Sequence, residues 1–288
     1  MNTIKRTAGG RIILKRPSLA RIVLNGTVAA LILLTAWGYF TIDTKGIALV
    51  EAARQTLRYL GVMFGAPWAV ASHWGLPQDA GSVQTFFTAC RQIVITLALA
   101  FLTTLIGGFV ALVLGLFAAR NLTNDKVSNA IKGFLSVIRA VPTVLWVLIF
   151  AIGAGLGAEA AVIGMSFHTI GHLLKAYSES FEELDEGVLE ALQASGATWL
   201  QIVFQAVLPS SASYLLSWTF IRFEINFAVA VAMGAAAGAG GIGYELYMSS
   251  GYYFDMHELG YITYLIIFIA LVMEVIAVGL KKRYHVHD

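Results

Sequence analysis

The chain has 288 residues, of which 58% are hydrophobic and 12% charged, and its formal net charge at pH 7 is +2. An ordinary soluble domain carries about 25% charged residues, so this composition and a mean hydropathy of +0.75 exclude a typical water-soluble protein. The single cysteine, Cys90, excludes an intrachain disulfide, a thiolate metal cluster and a CxxC redox pair.

Six apolar runs predict an all-α, polytopic membrane protein, because a helix needs about 20 residues to cross the hydrocarbon core. In chain order, the predicted spans are 22–42, 93–118, 141–156, 160–174, 212–233 and 261–280. Gly153, Gly155 and Gly157 separate the third span from the fourth and predict a tight extracytoplasmic turn there. The alternative is one long, kinked helix, which would invert the orientation of everything downstream.

Basic residues cluster in the N-terminal tail (1–21), between the second and third spans, and in the C-terminal tail (281–288). Cytoplasmic segments are enriched in such residues, so both tails and the loop are predicted to be cytoplasmic. Six spans satisfy all three clusters, whereas five would leave one basic terminus outside. The first apolar run is interpreted as a retained helix rather than a cleaved signal peptide.

Two features precede the third span. Residues 47–64 alternate apolar and polar positions at helical spacing, which predicts an extracytoplasmic amphipathic helix that lies on the membrane or packs against the spans. Gly107, Ala111, Gly115 and Ala119 recur every four residues along the second span. Such a stripe predicts close helix packing, either with another span or with a second copy.

The fifth span carries polar residues that are costly in lipid, because a charge at the bilayer centre costs about 3 kcal/mol or more unless it faces a cavity or partner. Arg222, Glu224 and Asn226 lie near its middle, and Trp218 shares a helical face with Arg222 and Asn226. The functional hypothesis places Arg222 beside a water-filled anion pathway and bonds Glu224 to a neighbouring helix. The alternative is a pair of structural ion pairs between spans.

His168 and His172 lie four residues apart in the fourth span, but Thr169 occupies the place of the glutamate in the zinc-protease motif, so no metal site is predicted. The two histidines are expected to hydrogen-bond within the bundle or to line the pathway. A membrane-embedded hydrolase using these histidines and Glu224 is disfavoured, because no set of nucleophile, base and orienting residue is present.

Glycines follow the fifth span in a pattern that matches the letters of a dinucleotide-binding motif: Gly238, Gly240, Gly241 and Gly243. No soluble strand precedes them and no suitably spaced acidic residue follows, which argues against nucleotide binding. The glycines instead predict sharp turns in a re-entrant or gating segment.

Residues 177–209, between the fourth and fifth spans, contain a recognisable spacing. Glu190, Ala191, Gly196, Leu208 and Pro209 resemble the "EAA" loop of ABC-importer permeases, in which a helix, a glycine turn and a second helix dock on the ATPase. Leu192 and Ala206 depart from the usual residues but keep an apolar side chain. In such a loop Gly196 can take a positive φ, and Pro209 suits the first turn of the second helix.

Four segments together resemble the phosphonate-type permeases of ABC importers: 167–169, 190–196, 222–226 and 238–243. This resemblance implies a type I importer permease fold in a bacterial cytoplasmic membrane, with a second copy of the chain, a cytoplasmic ATPase dimer that binds ATP and Mg²⁺, and an extracytoplasmic binding protein. It implies no catalytic residue, no cofactor in this chain and no nucleic-acid partner. An ion-coupled secondary transporter of a small anion is the alternative function.

Overall fold

The computed structural model describes residues 5–6, 12–13, 18–41, 48–65 and 82–283, and the chain divides into two compact units, 1–58 and 59–288. The first unit contains a two-residue antiparallel pairing of β1 (Lys5–Arg6) with β2 (Ile12–Ile13), followed by α1 (Leu19–Thr41). Helix α2 (Leu49–Gly65) contains positions 49–64 of the predicted amphipathic segment, whose position 47 lies outside the described residues, and it crosses the boundary between the units. The residues between these elements, including most of both tails, lie outside the described part.

The described residues of the second unit form helices joined by short turns. Its helices are α3 (Ser82–Ala118), α4 (Asp125–Ala140), α5 (Thr143–Ala154), α6 (Ala158–Glu182), α7 (Glu186–Ala194), α8 (Trp199–Ile202), α9 (Leu208–Ala237), α10 (Gly241–Met248) and α11 (Met256–Arg283). Two π-helical turns, Val203–Val207 and Ser249–Tyr253, follow α8 and α10.

A helix coincides with each predicted span, and the all-α membrane class is confirmed. By length and composition, four helical stretches in the described residues suit a membrane crossing, and a fifth does if α4 and α5, bent by 90°, count together. Helix α5 has 12 residues, about 18 Å at 1.5 Å per residue, which is shorter than a bilayer core of about 30 Å. The third and fourth spans therefore remain predictions as separate crossings. Helix α3 starts at Ser82 rather than at 93, and α6 continues to Glu182 rather than ending at 174.

The glycines between α5 and α6 form the predicted tight turn. Gly155 has φ +81° and Gly157 has φ +154°, a region that side chains with a Cβ rarely occupy. A Cβ on Gly164 would lie 2.5 Å from the backbone nitrogen of Val147, so α6 folds back directly against α5. The two helices form a hairpin, which excludes the single kinked helix.

Helices α3, α6 and α9 form the centre of the second unit. The small-residue stripe of α3 packs on α6: a Cβ on Gly107 would lie 2.5 Å from Thr169 Cγ2, and one on Gly115 would lie 3.4 Å from Phe181. The stripe therefore serves helix packing within the chain, one of the two predicted roles.

Helix α8, the first π turn and α9 form one continuous helix from Trp199 to Ala237. Pro209 is the second residue after the π turn, in the first turn of α9. The sequence-based expectation of a separate second helix that begins at the proline is thus corrected: the chain is already helical before Pro209. The i to i+5 pairing of the turn, in which Leu208 N donates to Val203 O, accommodates a residue without an amide proton.

Candidate translocation site and coupling surface

Asn226 of α9 lies at the centre of a polar network that joins three helices. Its side-chain Nδ2 donates to Thr104 Oγ1 of α3 at 2.9 Å, and its Oδ1 lies 3.1 Å from Thr169 Oγ1 of α6. Asn226 and Thr169 are fully buried. Arg222, one turn earlier on α9, donates from Nε to the same Thr169 hydroxyl over a long 3.4 Å. The network satisfies buried polar groups within a mainly apolar bundle.

Arg222 is only 6% exposed, yet no carboxylate lies within ion-pair distance of it among the described residues. A guanidinium has five N–H donors, and the bond to Thr169 uses one. The structural ion pair that was the alternative for Arg222 is therefore not formed by the described residues.

A cavity of about 280 Å³ adjoins Arg222 between α4, α6 and α9. Besides Arg222, its polar lining consists of Arg139 from α4, His172, Lys175 and Glu179 from α6, and Trp218 from α9. The Lys175 ammonium lies 3.7 Å from the Glu179 carboxylate. Three basic side chains thus face one space together with a single carboxylate, an arrangement that attracts anions.

Four of the predicted pathway residues, Arg222, Asn226, His172 and Trp218, lie at or beside this cavity. The His168 and His172 rings are adjacent, with centroids 4.6 Å apart, and His168 Nδ1 is buried without a hydrogen-bond partner in the described residues. No group of three potential metal ligands occurs in that part of the chain. Glu224 is half-buried and is not a lining residue of the cavity.

Sequence reasoning missed Arg139, Lys175 and Thr104 as site residues. Arg139 belongs to the basic cluster between the second and third spans, which the sequence relates only to orientation. The structure brings it over α6, where a Cβ on Gly171 would lie 2.8 Å from Arg139 Cγ. The one signal in the sequence was the glycine at position 171 of the fourth span. A glycine there leaves room for a long side chain to cross the surface of the helix.

The predicted coupling segment forms a short helical hairpin with an exposed outer face. Glu190 and Ala191 of α7 are exposed, whereas Leu189 on the opposite side is 4% exposed and joins the core. Gly196 adopts the expected positive φ, +85°, and is exposed. Leu208 and Pro209 lie farther along, in the first turn of α9.

The base of this hairpin is fixed to the turn that follows α3. Trp199 donates from Nε1 to the Leu122 carbonyl at 3.0 Å and stacks on Phe117 with ring centroids 5.5 Å apart. Glu182 Oε1 accepts from the Arg120 amide at 2.8 Å and from the Lys132 ammonium at 2.6 Å. These contacts join the base of the hairpin to α3 and α4.

The predicted gating glycines form a sharp turn from α9 into α10. Gly238, Gly240 and Gly241 have φ values of +61°, +75° and +75°. Gly243 lies against the Val231 backbone so closely that a Cβ would collide with it. On the α3 side, Ile242 N donates to Thr96 Oγ1 at 2.9 Å. Helix α10 is thus a folded-back segment, and these glycines do not line the cavity beside Arg222.

Comparisons with known proteins agree with this architecture. The family described as binding-protein-dependent transport system inner membrane component matches residues 111–284. The chain is 32% identical over 210 residues to the phosphite transport system permease protein PtxC of Stutzerimonas stutzeri, covering 73% of this chain and 74% of that protein. It is 33% identical over 164 residues to the phosphate-import permease protein PhnE of Mycolicibacterium smegmatis, covering 57% of this chain and 30% of that protein.

Solved structures show the same fold. A chain of the inward-facing MetNI methionine ABC transporter superposes with a TM-score of 0.63 at 21% identity, over 71% of this chain and 99% of that one. A chain of a bacterial ABC transporter that imports alginate superposes with a TM-score of 0.57 at 15% identity, over 93% of this chain and 99% of that one. The predicted ABC-importer permease fold is confirmed.

Proposed function

Since this chain belongs to the family of binding-protein-dependent transport system inner membrane components, we propose that it is the permease subunit of an ATP-driven importer of phosphorus oxyanions. One observation carries the choice of substrate class. Arg222 is buried, has no carboxylate partner among the described residues, and faces a cavity with two further basic side chains. Relatives named as phosphite and phosphate permeases support the same class.

The working assembly has two copies of this chain, a cytoplasmic ATPase dimer that binds ATP and Mg²⁺, and an extracytoplasmic binding protein. It lies in a bacterial cytoplasmic membrane with both termini inside. The exposed face of α7 around Glu190 and Ala191 meets the ATPase, and Gly196 provides the turn of the docking hairpin. The chain itself hydrolyses nothing.

Transport proceeds by alternating access. ATP closes the ATPase pair, and the hairpin moves with it. The continuous helix from Trp199 to Ala237 carries this motion to Arg222, about 35 Å along the helix axis at 1.5 Å per residue. Arg222 lowers the electrostatic barrier for the anion. The binding protein supplies most of the affinity for the anion, because tight binding within the pathway would slow release of the anion.

The glycine turn at Gly238, Gly240, Gly241 and Gly243 places α10 against α3 and α9, at the end of the continuous helix. We assign α10 as the extracytoplasmic gating segment. His168 and Asn226 keep α6 and α9 packed together beside Arg222. Glu224 bonds to a neighbouring helix on another face of α9. These roles extend the hypotheses drawn from the sequence.

The test is reconstitution of the complete complex in vesicles with labelled phosphite, phosphate and a simple phosphonate as substrates. Uptake should require ATP hydrolysis and the binding protein, and Arg222→Ala should reduce it at least tenfold while the complex still assembles. Arg91→Ala, an exposed arginine of α3, is the matched control. Uptake that follows an ion gradient without any ATPase would establish the secondary-transporter alternative, and loss of assembly in Arg222→Ala would assign that residue a structural role.

A further inference from the structure

The cavity beside Arg222 holds more positive charge than its own residues neutralise. Arg139, Lys175 and Arg222 line it, and Glu179 is the only acidic residue among the described residues that line it. Glu179 lies 3.7 Å from Lys175, and neither arginine has a carboxylate within ion-pair distance in the described part of the chain. Like charges around one space repel each other, and the screening by water is weakest at Arg222, which is buried, and stronger at the exposed Lys175. An anion in the cavity relieves this repulsion.

The fold makes room for the second arginine. Arg139 is the penultimate residue of α4, and its stem crosses α6 at Gly171, where a Cβ would approach Arg139 Cγ to 2.8 Å. Gly171 itself is buried. A larger residue at that position would push the guanidinium away from the cavity. The positive lining therefore depends on a specific packing contact and is not a chance cluster of surface charges.

From this geometry we propose that Arg139, together with Lys175 and Arg222, forms an inner oxyanion-binding site, and that Glu179 promotes release from it. The ligand is a tetrahedral phosphorus oxyanion, so the proposal rests on the proposed function. Lys175 exchanges its contact with Glu179 for the anion on arrival. The freed Glu179 carboxylate then repels the anion and recovers its partner when the anion leaves.

The size of the cavity sets the kind of binding. Water occupies about 30 Å³ per molecule in the liquid, so 280 Å³ accommodates an oxyanion together with part of its hydration shell. A partly hydrated anion is held by charge more than by direct hydrogen bonds. The site should therefore bind weakly, and its affinity should fall as the salt concentration rises.

The experiment uses thiol labelling, which the single native cysteine makes simple. Ile225, a cavity-lining residue, is replaced by cysteine in a Cys90→Ala background. The purified complex with its ATPase, without binding protein or ATP, is treated with a negatively charged thiol reagent in phosphate or in chloride at equal ionic strength. We expect phosphate to slow labelling about threefold at twice its dissociation constant, as simple occupancy requires.

Variants then assign the site. Arg139→Gln should abolish the protection by phosphate, whereas Lys126→Gln, an exposed residue of the same helix outside the cavity, should leave it unchanged. Glu179→Gln should strengthen protection and slow uptake. If Arg139→Gln does not fold, Lys175→Gln provides the second test, because that side chain is 59% exposed and its loss should still weaken protection severalfold.

Equal labelling rates in phosphate and chloride would overturn the site, as would protection that survives both Arg139→Gln and Lys175→Gln. Weaker protection in Glu179→Gln would overturn the release role. Because the assay involves no transport, the two proposals fail separately. Protection by phosphate without uptake of any phosphorus oxyanion contradicts the proposed function alone, and uptake without protection contradicts the inner site alone.

Discussion

At the scale of single residues, Asn226 joins three helices through its one amide group. Its Nδ2 donates to Thr104 and its Oδ1 lies within hydrogen-bond distance of Thr169, so both ends of the amide are used. In a membrane the lipid offers no replacement hydrogen-bond partner for these side chains. In the partly unfolded chain, however, they find other hydrogen-bond partners within the protein. The net contribution of each bond to stability is therefore moderate.

A double-mutant cycle should measure this contribution. We expect Asn226→Leu and Thr104→Val each to destabilise the protein, and their combination to cost less than the sum, with a coupling energy of about 0.6 kcal/mol and at most about 1.7 kcal/mol. The free energy of unfolding is measured by denaturant titration in detergent micelles. Strict additivity of the two substitutions would show that the hydrogen bond does not contribute.

The sequence indicated which of these residues are costly in lipid but not which residues they meet. Arg222 and Asn226 stand out because their side chains are expensive in an apolar run. Thr104 gives no such signal, since a threonine in a span can bond its own helix, as Thr104 also does to the Ala100 carbonyl at 2.7 Å. Contacts across 122 positions of the chain depend on how the helices pack, which composition and periodicity do not specify.

At the scale of elements, the coupling hairpin and the long helix meet at Trp199. Its indole stacks on Phe117 and donates to the Leu122 carbonyl, so it connects the start of the continuous helix to the end of α3. We expect Trp199→Phe to keep the stacking and lose the hydrogen bond, at about 1 kcal/mol, with a modest fall in substrate moved per ATP hydrolysed. Trp199→Ala should lose both contacts and reduce that ratio much further. Parallel assays of uptake and ATP hydrolysis in vesicles give the ratio.

For that prediction, the exposed Phe204 of the adjoining π turn is the control, because Phe204→Ala removes an aromatic ring of the same segment from a residue that is 65% exposed. A Phe204→Ala ratio near that of the unmodified protein, together with a low Trp199→Ala ratio, is the expected pattern. Equal ratios in all the variants would remove Trp199 from the coupling path.

Helix α10 depends on a backbone contact that only glycine permits. A Cβ at position 243 would collide with the Val231 backbone, whereas one at Gly251 would meet only Tyr247 Cε2 at 3.7 Å. Overpacking typically costs about 1–3 kcal/mol. We therefore expect Gly243→Ala to lower the midpoint of thermal unfolding in detergent clearly, and Gly251→Ala to change it little. A Gly243→Ala protein as stable as the unmodified one would show that α10 is not packed this closely.

The helices were predicted with different accuracy because the sequence patterns that mark them differ in strength. Long apolar runs predicted α1, α9 and α11 to within five residues at each end, whereas the first 11 residues of α3, from Ser82, were missed. Helix α4 was missed as an element, since its buried side is narrow: Ser128, Leu135 and Ile138 are its fully buried residues. The fold-back of α10 was foreseen only as turns at glycines, because the partner that receives the glycines, Val231, is not marked in the sequence.

At the scale of the whole molecule, the orientation of the spans decides whether the site and the coupling surface can serve the proposed import. The basic clusters predict that the turn after α3 and both termini lie inside. Helix α6 has 25 residues, about 38 Å in length, which exceeds a bilayer core of about 30 Å. The α5–α6 turn and the coupling hairpin, at its two ends, should therefore lie on opposite sides of the membrane.

Cysteine labelling in cells tests this orientation. In a Cys90→Ala background, Gly153→Cys near the α5–α6 turn should react with a membrane-impermeant maleimide in intact cells, because position 153 is exposed and a side chain there meets nothing within 4 Å. Ser195→Cys, exposed at the end of α7, should react only after the membrane is permeabilised. Labelling of both positions after permeabilisation is the control for accessibility. If both react in intact cells, α5 and α6 form a re-entrant hairpin and the α7 surface faces away from the ATP pool. Import powered through that hairpin would then be impossible, because a cytoplasmic ATPase could not reach Glu190.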